Sequence, residues 1–538
     1  MKNYLKFLVL LLCISCENDS NESTVLVQVD QATIATHIAQ LASDEFLGRK
    51  PFTEGEVLTV NYLKDEFEKL GLLPGNGDSY FQDVPMVEID GTPSKTMVIS
   101  GGNGSFDLEV LKDFVATTNK VETEVRLENS ELVFAGYGIV APEYGWNDYE
   151  GIDWKGKTAV VLINDPGFQS GDSTLFKGNE MTYYGRWTYK YEEAARQGAA
   201  GLIIIHDTEP ASYGWNVIES GWTGARLVIA SDVPLLNVES WVSGESAQKI
   251  LDASAMKGQD YKAISRDKNF NPIPLDLQVS VSIQNKIKKD VSKNVVAMIP
   301  GTDRKDEVII YSAHWDHLGV GKAIEGDSIY NGAVDNASGT AGLLALAEAF
   351  KKGKATKRSI VFIALTGEEQ GLLGSAFYAE NPIFDPKKTV ANINMDALDS
   401  PGKMKDLTIT GYGQSEMDEY AKEAALAQER YIIPDPEAEK GYFFRSDHFN
   451  FAKIGIPALY ASGAYEGFDK SKEDIKAYND FYRINKYHQP SDGYNAETME
   501  LSGVQLDLQL FFSVGLKLAN EDYFPKWYDG SEFKAARE

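Results

Sequence analysis

In the second half of the chain, short apolar runs repeatedly lead into a histidine or an acidic residue. The runs and the residues that follow them are 308–311 before His314, 360–365 before Glu368, and 390–395 before Asp396. Runs of this length are typical of strands that are buried on both faces of a parallel sheet. Ligands gather beyond the carboxyl ends of such strands. We therefore expect these histidine and acidic side chains to converge at one edge of a sheet.

Helical spacing of apolar residues alternates with these strand patterns along the chain. It predicts helices over residues 31–42, 53–70, 189–197, 338–351, 416–427 and 505–518. Further apolar runs predict strands over residues 132–140, 157–163, 202–205, 294–299 and 454–460. Between residues 254 and 293 the pattern shows little periodicity. The chain is therefore predicted to have an α/β fold, with a mostly parallel central sheet flanked by helices.

Length and charge narrow the possible functions. The chain has 538 residues, enough for more than one domain. It carries 52 Lys and Arg residues against 80 Asp and Glu residues, which gives a net charge of -28. Nucleic-acid binding is not expected, because phosphates need basic partners.

The first residues are typical of a bacterial secretory signal. Lys2 and Lys6 precede an apolar run over residues 7–14 that is too short to span a bilayer as a stable helix. A serine then precedes Cys16, as at lipoprotein processing sites, although Cys13 stands where such sites usually have leucine. We predict a lipid anchor on Cys16 and a place in the outer membrane of the bacterial cell envelope, facing the periplasm or the outside. The alternative is an ordinary cleaved signal followed by a free cysteine.

The chain has only two cysteines, both in this N-terminal stretch. The mature protein can therefore form no internal disulfide and offers no thiolate metal site. Without thiolates, zinc takes histidine, aspartate and glutamate as ligands. A two-metal hydrolase needs about five such ligands, one of them a bridging carboxylate, and a further carboxylate to take a proton from water. The motifs supply this set as His314, Asp335, Glu368, Glu369, Asp396 and His488.

Taken together, these motifs resemble the di-zinc exopeptidases of the aminopeptidase Y, bacterial leucyl aminopeptidase and glutamate carboxypeptidase type. His-x-Asp, Asp-Asn-x-Ser-Gly, Glu-Glu, Asn-Met-Asp and Tyr-His occur here in the family's order. The resemblance implies that the protein holds two Zn²⁺ ions. His314 and Asp396 would bind the first ion. Glu369 and His488 would bind the second, and Asp335 would bridge the two.

The same resemblance implies roles for three neighbouring residues. Glu368 would be the general base that takes a proton from water and passes it to the leaving amine. Asp316 would hold the ring of His314 in orientation. Tyr487 would donate a hydrogen bond to the oxyanion.

Other polar residues close to the motifs are expected to have roles outside metal binding. His317 is taken as a structural residue at a strand end or at the rim of the site. Asp447 and His448 are expected to brace a loop. The preceding Arg445 and Ser446 are expected to line the substrate cleft, where Arg445 would meet either a substrate carboxylate or an acid on the protein surface.

The middle of the chain is interpreted as an inserted domain. Short strands and glycine turns begin at about residue 121, and this stretch resembles the β-rich protease-associated domain of several secreted peptidases. His206 is its only histidine and is taken as structural. The predicted division is a signal peptide (1–15), a tether (16–26), the N-terminal part of the peptidase domain (27–121), the protease-associated domain (122–260), a connecting segment (261–293) and the catalytic part (294–538).

The expected function is zinc-dependent removal of N-terminal residues from peptides, which makes the protein an aminopeptidase. One alternative is a carboxypeptidase that acts on acidic C-terminal residues. Another is a binding protein that keeps the fold without turnover. The complete set of candidate ligands favours an enzyme over the binding protein.

Overall fold

The structure is a computed structural model that describes residues 27–101, 104–230 and 233–538. The predicted signal peptide and the predicted lipid anchor at Cys16 lie outside the described residues. Within those three ranges, no helix combines the length and the apolar character needed to cross a membrane.

The helices and strands alternate over most of the chain. The helices are α1 (Gln31–Leu41), α2 (Glu54–Lys69), α3 (Trp187–Arg196), α4 (Thr208–Ala211), α5 (Trp215–Gly221), α6 (Gly244–Ala253), α7 (Tyr261–Ile264), α8 (Gly339–Lys352), α9 (Leu373–Glu380), α10 (Met417–Ala427), α11 (His448–Lys453), α12 (Lys472–Asn485), α13 (Ser502–Asn520) and α14 (Lys534–Arg537). The strands are β1 (Leu73–Pro74), β2 (Phe81–Pro93), β3 (Thr96–Gly101), β4 (Gly104–Glu109), β5 (Phe114–Thr117), β6 (Glu124–Phe134), β7 (Val140–Ala141), β8 (Trp146–Asn147), β9 (Thr158–Leu162), β10 (Gly201–Ile205), β11 (Ala225–Ile229), β12 (Val238–Val242), β13 (Ile273–Ile299), β14 (Arg304–His314), β15 (Gly319–Ile324), β16 (Asp327–Tyr330), β17 (Arg358–Leu365), β18 (Thr389–Asn394), β19 (Asp406–Ile409), β20 (Tyr431–Pro434) and β21 (Ala458–Ser462).

The centre of the catalytic sheet is parallel, as predicted. Strand β14 pairs in parallel with β17 on one side and with β18 on the other, and β18 pairs in parallel with β21. Strand β13 closes one side antiparallel to β17, and β19 continues the other side antiparallel to β21. The prediction of an α/β fold with a mostly parallel central sheet is confirmed.

Both faces of this sheet are covered, which explains the unbroken apolar runs. Ile309 and Tyr311 of β14 belong to a core that includes residues of α8 and α13. Their neighbours Val308 and Ile310 belong to a second core, which includes Tyr378 of α9. Because successive side chains of a strand point to opposite faces, each face needs its own apolar residues.

The largest departure from the sequence interpretation is β13, a single strand of 27 residues. Its first half pairs with β3 and β6 in the insert, its middle with β2, and its end with β17. The predicted connecting segment, residues 261–293, is therefore part of this strand from Ile273 onward. Alternate residues from Leu275 to Ile283 are buried, a period-two pattern that was overlooked. This strand joins the insert and the catalytic sheet in one hydrogen-bonded ladder.

The insert contains its own parallel strands. Strands β6, β9, β10 and β12 pair in parallel in that order, and β5 adds antiparallel to β12. Strand β6 ends at Phe134 instead of continuing to residue 140. Gly136 and Gly138 follow it with φ values of 54° and 65°, conformations that favour glycine and turn the chain out of the sheet. The likeness of this segment to a protease-associated domain stays a prediction.

Candidate metal centre

Parallel strands deliver the predicted residues to one edge of the catalytic sheet. His314 is the last residue of β14, Glu368 and Glu369 follow β17, and Asp396 follows β18. Asp335 lies on the turn that leads into α8, and its peptide bond to Asn336 is cis. His488 lies on the loop after α12 and faces the same edge.

The first group of candidate ligands surrounds His314. Its Nε2 lies 3.3 Å from Asp335 Oδ1 and 3.2 Å from Asp396 Oδ1. Glu368 Oε2 is farther, at 3.8 Å from the same nitrogen. Potential ligand atoms of His314, Asp335 and Asp396 all lie within 4.8 Å of one another, a spacing that one metal ion could span.

The second group of candidate ligands surrounds His488. Its Nε2 lies 3.3 Å from Asp335 Oδ2 and 3.1 Å from Glu369 Oε2. Asp335 therefore turns one carboxylate oxygen toward His314 and the other toward His488. This is the arrangement expected of a carboxylate shared by two subsites.

His317 belongs to this second group, which the sequence interpretation missed. Its Nδ1 lies 2.5 Å from Glu369 Oε1, and it forms with Asp335 and Glu369 another cluster spaced for one ion. The residue is buried and does not lie at the rim. The sequence does contain a signal for His317. In the motif His-Trp-Asp-His, residues 314–317, a histidine stands on either side of Asp316 at the end of a strand. The chain turns there, so both rings reach the same pocket.

The carboxylates of the centre favour positive charge on His314 and His488. Burial lowers the pKa of His314, but the charges of Glu368 and Asp396 outweigh it and raise that pKa well above its usual value. Burial acts to lower the pKa of His488, but the adjacent carboxylates of Asp335 and Glu369 outweigh it and raise that pKa to about 10. The cluster therefore attracts cations.

The two adjacent glutamates have opposite pKa shifts. Burial raises the pKa of Glu368 well above its usual value, and the charges of Asp396 and Glu369 add to that effect. Burial and the charge of Asp335 also act to raise the pKa of Glu369, but His317 and His488 hold it at about 2. Glu368 is therefore the carboxylate suited to hold a proton, and Glu369 the one that stays ionised.

The donor set fits a divalent cation better than a network of hydrogen bonds. His488 Nε2 is buried and makes no hydrogen bond of acceptable geometry, although two carboxylate oxygens lie close to it. His317 Nε2 is likewise buried without a partner among the described residues. Imidazole and carboxylate groups that face one another without directed hydrogen bonds are the donors that zinc takes in sites lacking cysteine.

Hydrogen bonds to neighbouring loops hold these ligands in place. Asn336 donates to Met395 O and accepts from Ala397 N, which ties the loop of Asp335 to that of Asp396. Ser446 Oγ donates to Asp396 Oδ2 at 2.5 Å. Such partners fix the orientation of metal ligands. Ser446 thus contacts a candidate ligand, and its place in the substrate cleft stays a prediction.

Asp316 lies between the two motifs that follow β14 and β17. Its Oδ1 is 3.8 Å from His314 Nδ1, which is closer to the backbone oxygen of Asp316, at 3.2 Å. The same Oδ1 accepts a hydrogen bond from Glu368 N at 3.1 Å. In this arrangement the carboxylate of Asp316 orients the backbone of Glu368 through a hydrogen bond. The contact of Asp316 with the His314 ring is made mainly by its backbone oxygen.

Tyr487 and Arg445 lie at the open side of the centre. The ring of Tyr487 stacks on that of His488 with centroids 3.9 Å apart, and the residue is 45% exposed. Arg445 is exposed, donates from Nη2 to Lys440 O and lies over the ring of Tyr442. It forms no ion pair with a described residue, so the expected alternative of a surface salt bridge is not seen.

Arg49 is a residue near the centre that the sequence interpretation left in a loop. It is only 1% exposed. Its guanidinium donates to the carbonyls of Trp315 and Gly332, which belong to the segments that carry His314 and Asp335. A single arginine in a polar loop gives no periodic signal, so the sequence pattern could not identify it.

The remaining described histidines lie apart from the centre. His37 Nδ1 is 2.6 Å from Tyr62 Oη, and His206 Nε2 is 3.0 Å from Tyr213 O. His448 is buried against Phe443. The contact of His206 agrees with its structural interpretation. Neither ring nitrogen of His448 has a hydrogen-bond partner among the described residues, so its bracing role stays a prediction.

Residues 294–507 match the sequence model of peptidase family M28. This segment is therefore similar to peptidase family M28. The M28 match covers the strands and motifs that build the candidate metal centre and begins after the insert. The predicted exopeptidase resemblance is confirmed for this part of the chain.

Curated relatives agree with the M28 assignment over parts of their length. The chain is 34% identical over 145 residues to Aminopeptidase NAALADL1 of Mus musculus, which covers 26% of this chain and 18% of that protein. It is 28% identical over 291 residues to Leucine aminopeptidase 2 of Trichophyton rubrum, which covers 52% of this chain and 54% of that protein. The chain thus spans from a fifth to about half of the length of these relatives.

A solved structure extends the likeness to the whole fold. The aminopeptidase from Aneurinibacillus sp. strain AM-1 superposes with a TM-score of 0.50 at 20% identity, covering 92% of this chain and 96% of that one. At this identity the match shows a common fold, in which the insert takes part as well as the M28 segment.

Proposed function

We propose that this protein is a zinc-dependent aminopeptidase with two Zn²⁺ ions. The observation that carries the proposal is the position of Asp335, whose two oxygens face His314 and His488 in two adjacent donor groups. Two donor groups that share one carboxylate are the design of two-metal hydrolases. The M28 match and relatives named as aminopeptidases support the same activity.

In this proposal the chain divides its acidic residues between metal binding and proton transfer. His314 and Asp396 would hold one ion, Glu369 and His488 the other, and Asp335 both. When bound, zinc polarises a carbonyl and lowers the pKa of bound water to about 7. Glu368 would take a proton from the attacking water, hold it at its carboxylate, where burial favours the protonated form, and pass it to the leaving amine.

The excess of acid in the cleft also suits the substrate of an aminopeptidase. The free amino group of a peptide is a cation. It would be attracted to carboxylates of the cleft that have few cationic partners on the protein. A peptide with a blocked N-terminus offers no such cation. Recognition of the amine therefore separates this activity from other exopeptidases.

A panel of matched peptides, combined with metal analysis, tests the proposal. Peptides with free, N-acetylated and C-amidated ends are offered to the purified full chain supplied with zinc. We expect release from free and C-amidated peptides, none from N-acetylated ones, and two zinc ions per chain. Activity that survives N-acetylation, or active protein without bound metal, would refute the aminopeptidase.

One observation favours a carboxypeptidase as the second candidate. Arg186 of the insert makes no ion pair among the described residues, and its Nε is buried without a partner. Burial, and next the charge of Arg445, lower its pKa to about 10. The insert and the cleft loop pack together here, with the rings of Tyr183 and Phe444 6.2 Å apart. Two adjacent guanidinium groups without an acid are suited to bind a substrate carboxylate.

The variant Arg186→Gln separates the two candidates. A carboxypeptidase would lose affinity for peptides with a free C-terminus and show a higher KM, since the guanidinium would contact the terminal carboxylate. An aminopeptidase acting on C-amidated peptides would keep its KM. The exposed Arg126→Gln in β6 is the matched control for the loss of one arginine.

The lipid anchor on Cys16 remains a second proposal about the same protein. It rests on the N-terminal sequence, which lies outside the described residues. Cells that express the full chain with Cys16→Ser would release the protein from membranes, whereas the unchanged chain would sediment with them. Release of both forms would refute the anchor.

A further inference from the structure

The guanidinium of Arg49 donates hydrogen bonds to four backbone carbonyls and to no carboxylate of a described residue. Nε donates to Trp315 O at 2.8 Å, and Nη2 donates to Gly332 O at 2.9 Å. Nη1 donates to Leu41 O at 2.7 Å and to Asn331 O at 2.6 Å. One side chain therefore links α1 to the two loops that carry candidate metal ligands.

These two loops are the ones that must be placed relative to each other. Trp315 lies between His314, a candidate ligand, and Asp316, whose carboxylate accepts a hydrogen bond from Glu368 N. Gly332 lies three residues before Asp335, the carboxylate shared by the two donor groups. A shift of either loop would change the distance between His314 and Asp335, which is 3.3 Å from Nε2 to Oδ1.

The backbone around Arg49 is held in a specific conformation. Leu47, Gly48 and Arg49 all have positive φ values, of 49°, 65° and 52°. A Cβ on Gly48 would lie 2.4 Å from Tyr330 O, so this loop packs directly against the base of the β15–β16 hairpin. Left-handed conformations persist at non-glycine residues only where surrounding contacts enforce them. Here those contacts aim the arginine at the metal centre.

Arg49 also brings positive charge to an acidic region. Burial lowers its pKa to about 10, while Asp316, Asp492 and Asp335 act in the opposite direction. The group therefore stays charged at neutral pH. Since its bonds go to neutral carbonyls, its charge is left to offset the nearby carboxylates before any metal binds.

We propose that Arg49 is a positioning residue of the metal centre, which fixes the His314 and Asp335 loops and supplies a permanent buried cation to the acidic cluster. The proposal rests on metal binding at this centre, and it does not depend on which peptide is cleaved. It assigns a role in the centre to the N-terminal part of the chain, outside the segment that matches the family.

Two substitutions separate the geometric from the electrostatic contribution. Arg49→Lys keeps the charge, but a single ammonium group cannot reach the four carbonyls. Arg49→Met removes the charge as well and keeps a side chain of similar length. Residues that orient metal ligands typically change metal affinity by roughly 10- to 100-fold when removed. We expect zinc affinity to fall in both variants, because both lose the bonds that place the two loops. The fall should be smaller in Arg49→Met than in Arg49→Lys, because the lost positive charge also removes a repulsion on the bound cation.

Arg358 is the control because it is a buried arginine at the start of β17, at the opposite end of that strand from Glu368. Its Nη1 donates to Leu518 O and Tyr523 O, and, unlike Arg49, its Nε donates to a carboxylate, Glu307 Oε2. Arg358→Lys and Arg358→Met should lower the unfolding temperature of the metal-free protein. They should leave zinc affinity unchanged.

Zinc affinity is measured by competition with a chelator, and Co²⁺ absorption bands report the ligand geometry directly. We expect weaker zinc binding and an altered Co²⁺ spectrum for Arg49→Lys but not for Arg358→Lys. Wild-type affinity and spectrum in a folded Arg49 variant would overturn the proposal. Equal losses in both arginine series would also overturn it, by showing that general destabilisation is enough. Failure of the unchanged chain to bind metal would instead refute the proposed function.

Discussion

The catalytic sheet and the insert each bring several parallel strands to a common edge. Among the described residues, only the edge of the catalytic sheet gathers candidate metal ligands. In the catalytic sheet, β14, β17 and β18 lead into His314, Glu368 and Asp396. In the insert, β9, β10 and β12 lead into the wall of a cavity of about 600 Å³ that includes Asn164 and His206. The same topology therefore produces a candidate metal centre in one place and a polar cavity in the other.

The difference lies in whether the polar groups at each edge already have partners. In the insert, Asp207 pairs with Lys262, and the buried Asp165 accepts hydrogen bonds from Thr182 and from Gly167 N. In the catalytic sheet, carboxylates face imidazoles and other carboxylates, and few cations balance them. The carboxyl ends of parallel strands thus bring loops together in both places. A cation site arises only where the carboxylates on those loops outnumber the positive charges around them.

The largest effect should come from Glu368→Gln. The amide keeps the shape of the side chain but cannot accept a proton, so kcat should fall by about 10²- to 10⁴-fold. Zinc content, measured by elemental analysis, should not change. The exposed Glu245→Gln at the start of α6 is the matched change in the insert and should keep full activity. A Glu368→Gln enzyme with normal kcat would contradict the assigned role.

The sequence predicted the strands of the M28 segment and the residues at their ends because both signals are local. Apolar runs mark doubly buried strands, and the acids or histidines follow directly in the chain. The shared position of Asp335 could be inferred only by resemblance, since it depends on a loop that folds back over the sheet. Its neighbours in space come from four different elements.

Other features depended on contacts that no local pattern records. Strand β13 alternates clearly from Leu275 to Ile283, yet its three pairing regions lie far apart in the sequence. His317 was predicted to be a structural residue at a strand end or at the rim. The turn after Asp316 instead places its ring within hydrogen-bonding distance of Glu369. Arg49 ends a short 3-10 helix, Asp44–Arg49, and bonds to backbone carbonyl groups, which every residue type has.

The second prediction concerns metal content at the edge of the catalytic sheet. Glu369→Ala removes the carboxylate that lies 3.1 Å from His488 Nε2, so one of two zinc ions should be lost after dialysis. Asp207→Ala removes a carboxylate at the corresponding edge of the insert and should leave both ions bound. Unchanged zinc in Glu369→Ala would mean that this residue is not a ligand.

A smaller effect is expected for His317→Gln. Loss of the imidazole beside Glu369 should weaken binding of the second ion by about 10- to 100-fold, as for other residues that orient a ligand. The first ion, beside His314, should bind as before. Titration with a competing chelator resolves the two steps. Equal weakening of both ions would show that His317 supports the fold of the site as a whole.

The smallest effect should come from the corresponding histidine of the insert. His206 directly follows β10, as His314 ends β14, and both are buried. Its Nε2 contacts only a neutral backbone oxygen, Tyr213 O, so His206→Gln should cost about 1 kcal/mol of unfolding free energy, the usual value of one hydrogen bond. Denaturant unfolding measures that loss, and elemental analysis should find the zinc content unchanged. Loss of zinc in His206→Gln would mean that the two edges are coupled through β13. It would then be wrong that His206, beside a neutral oxygen, is independent of a metal centre in which His314 faces carboxylates.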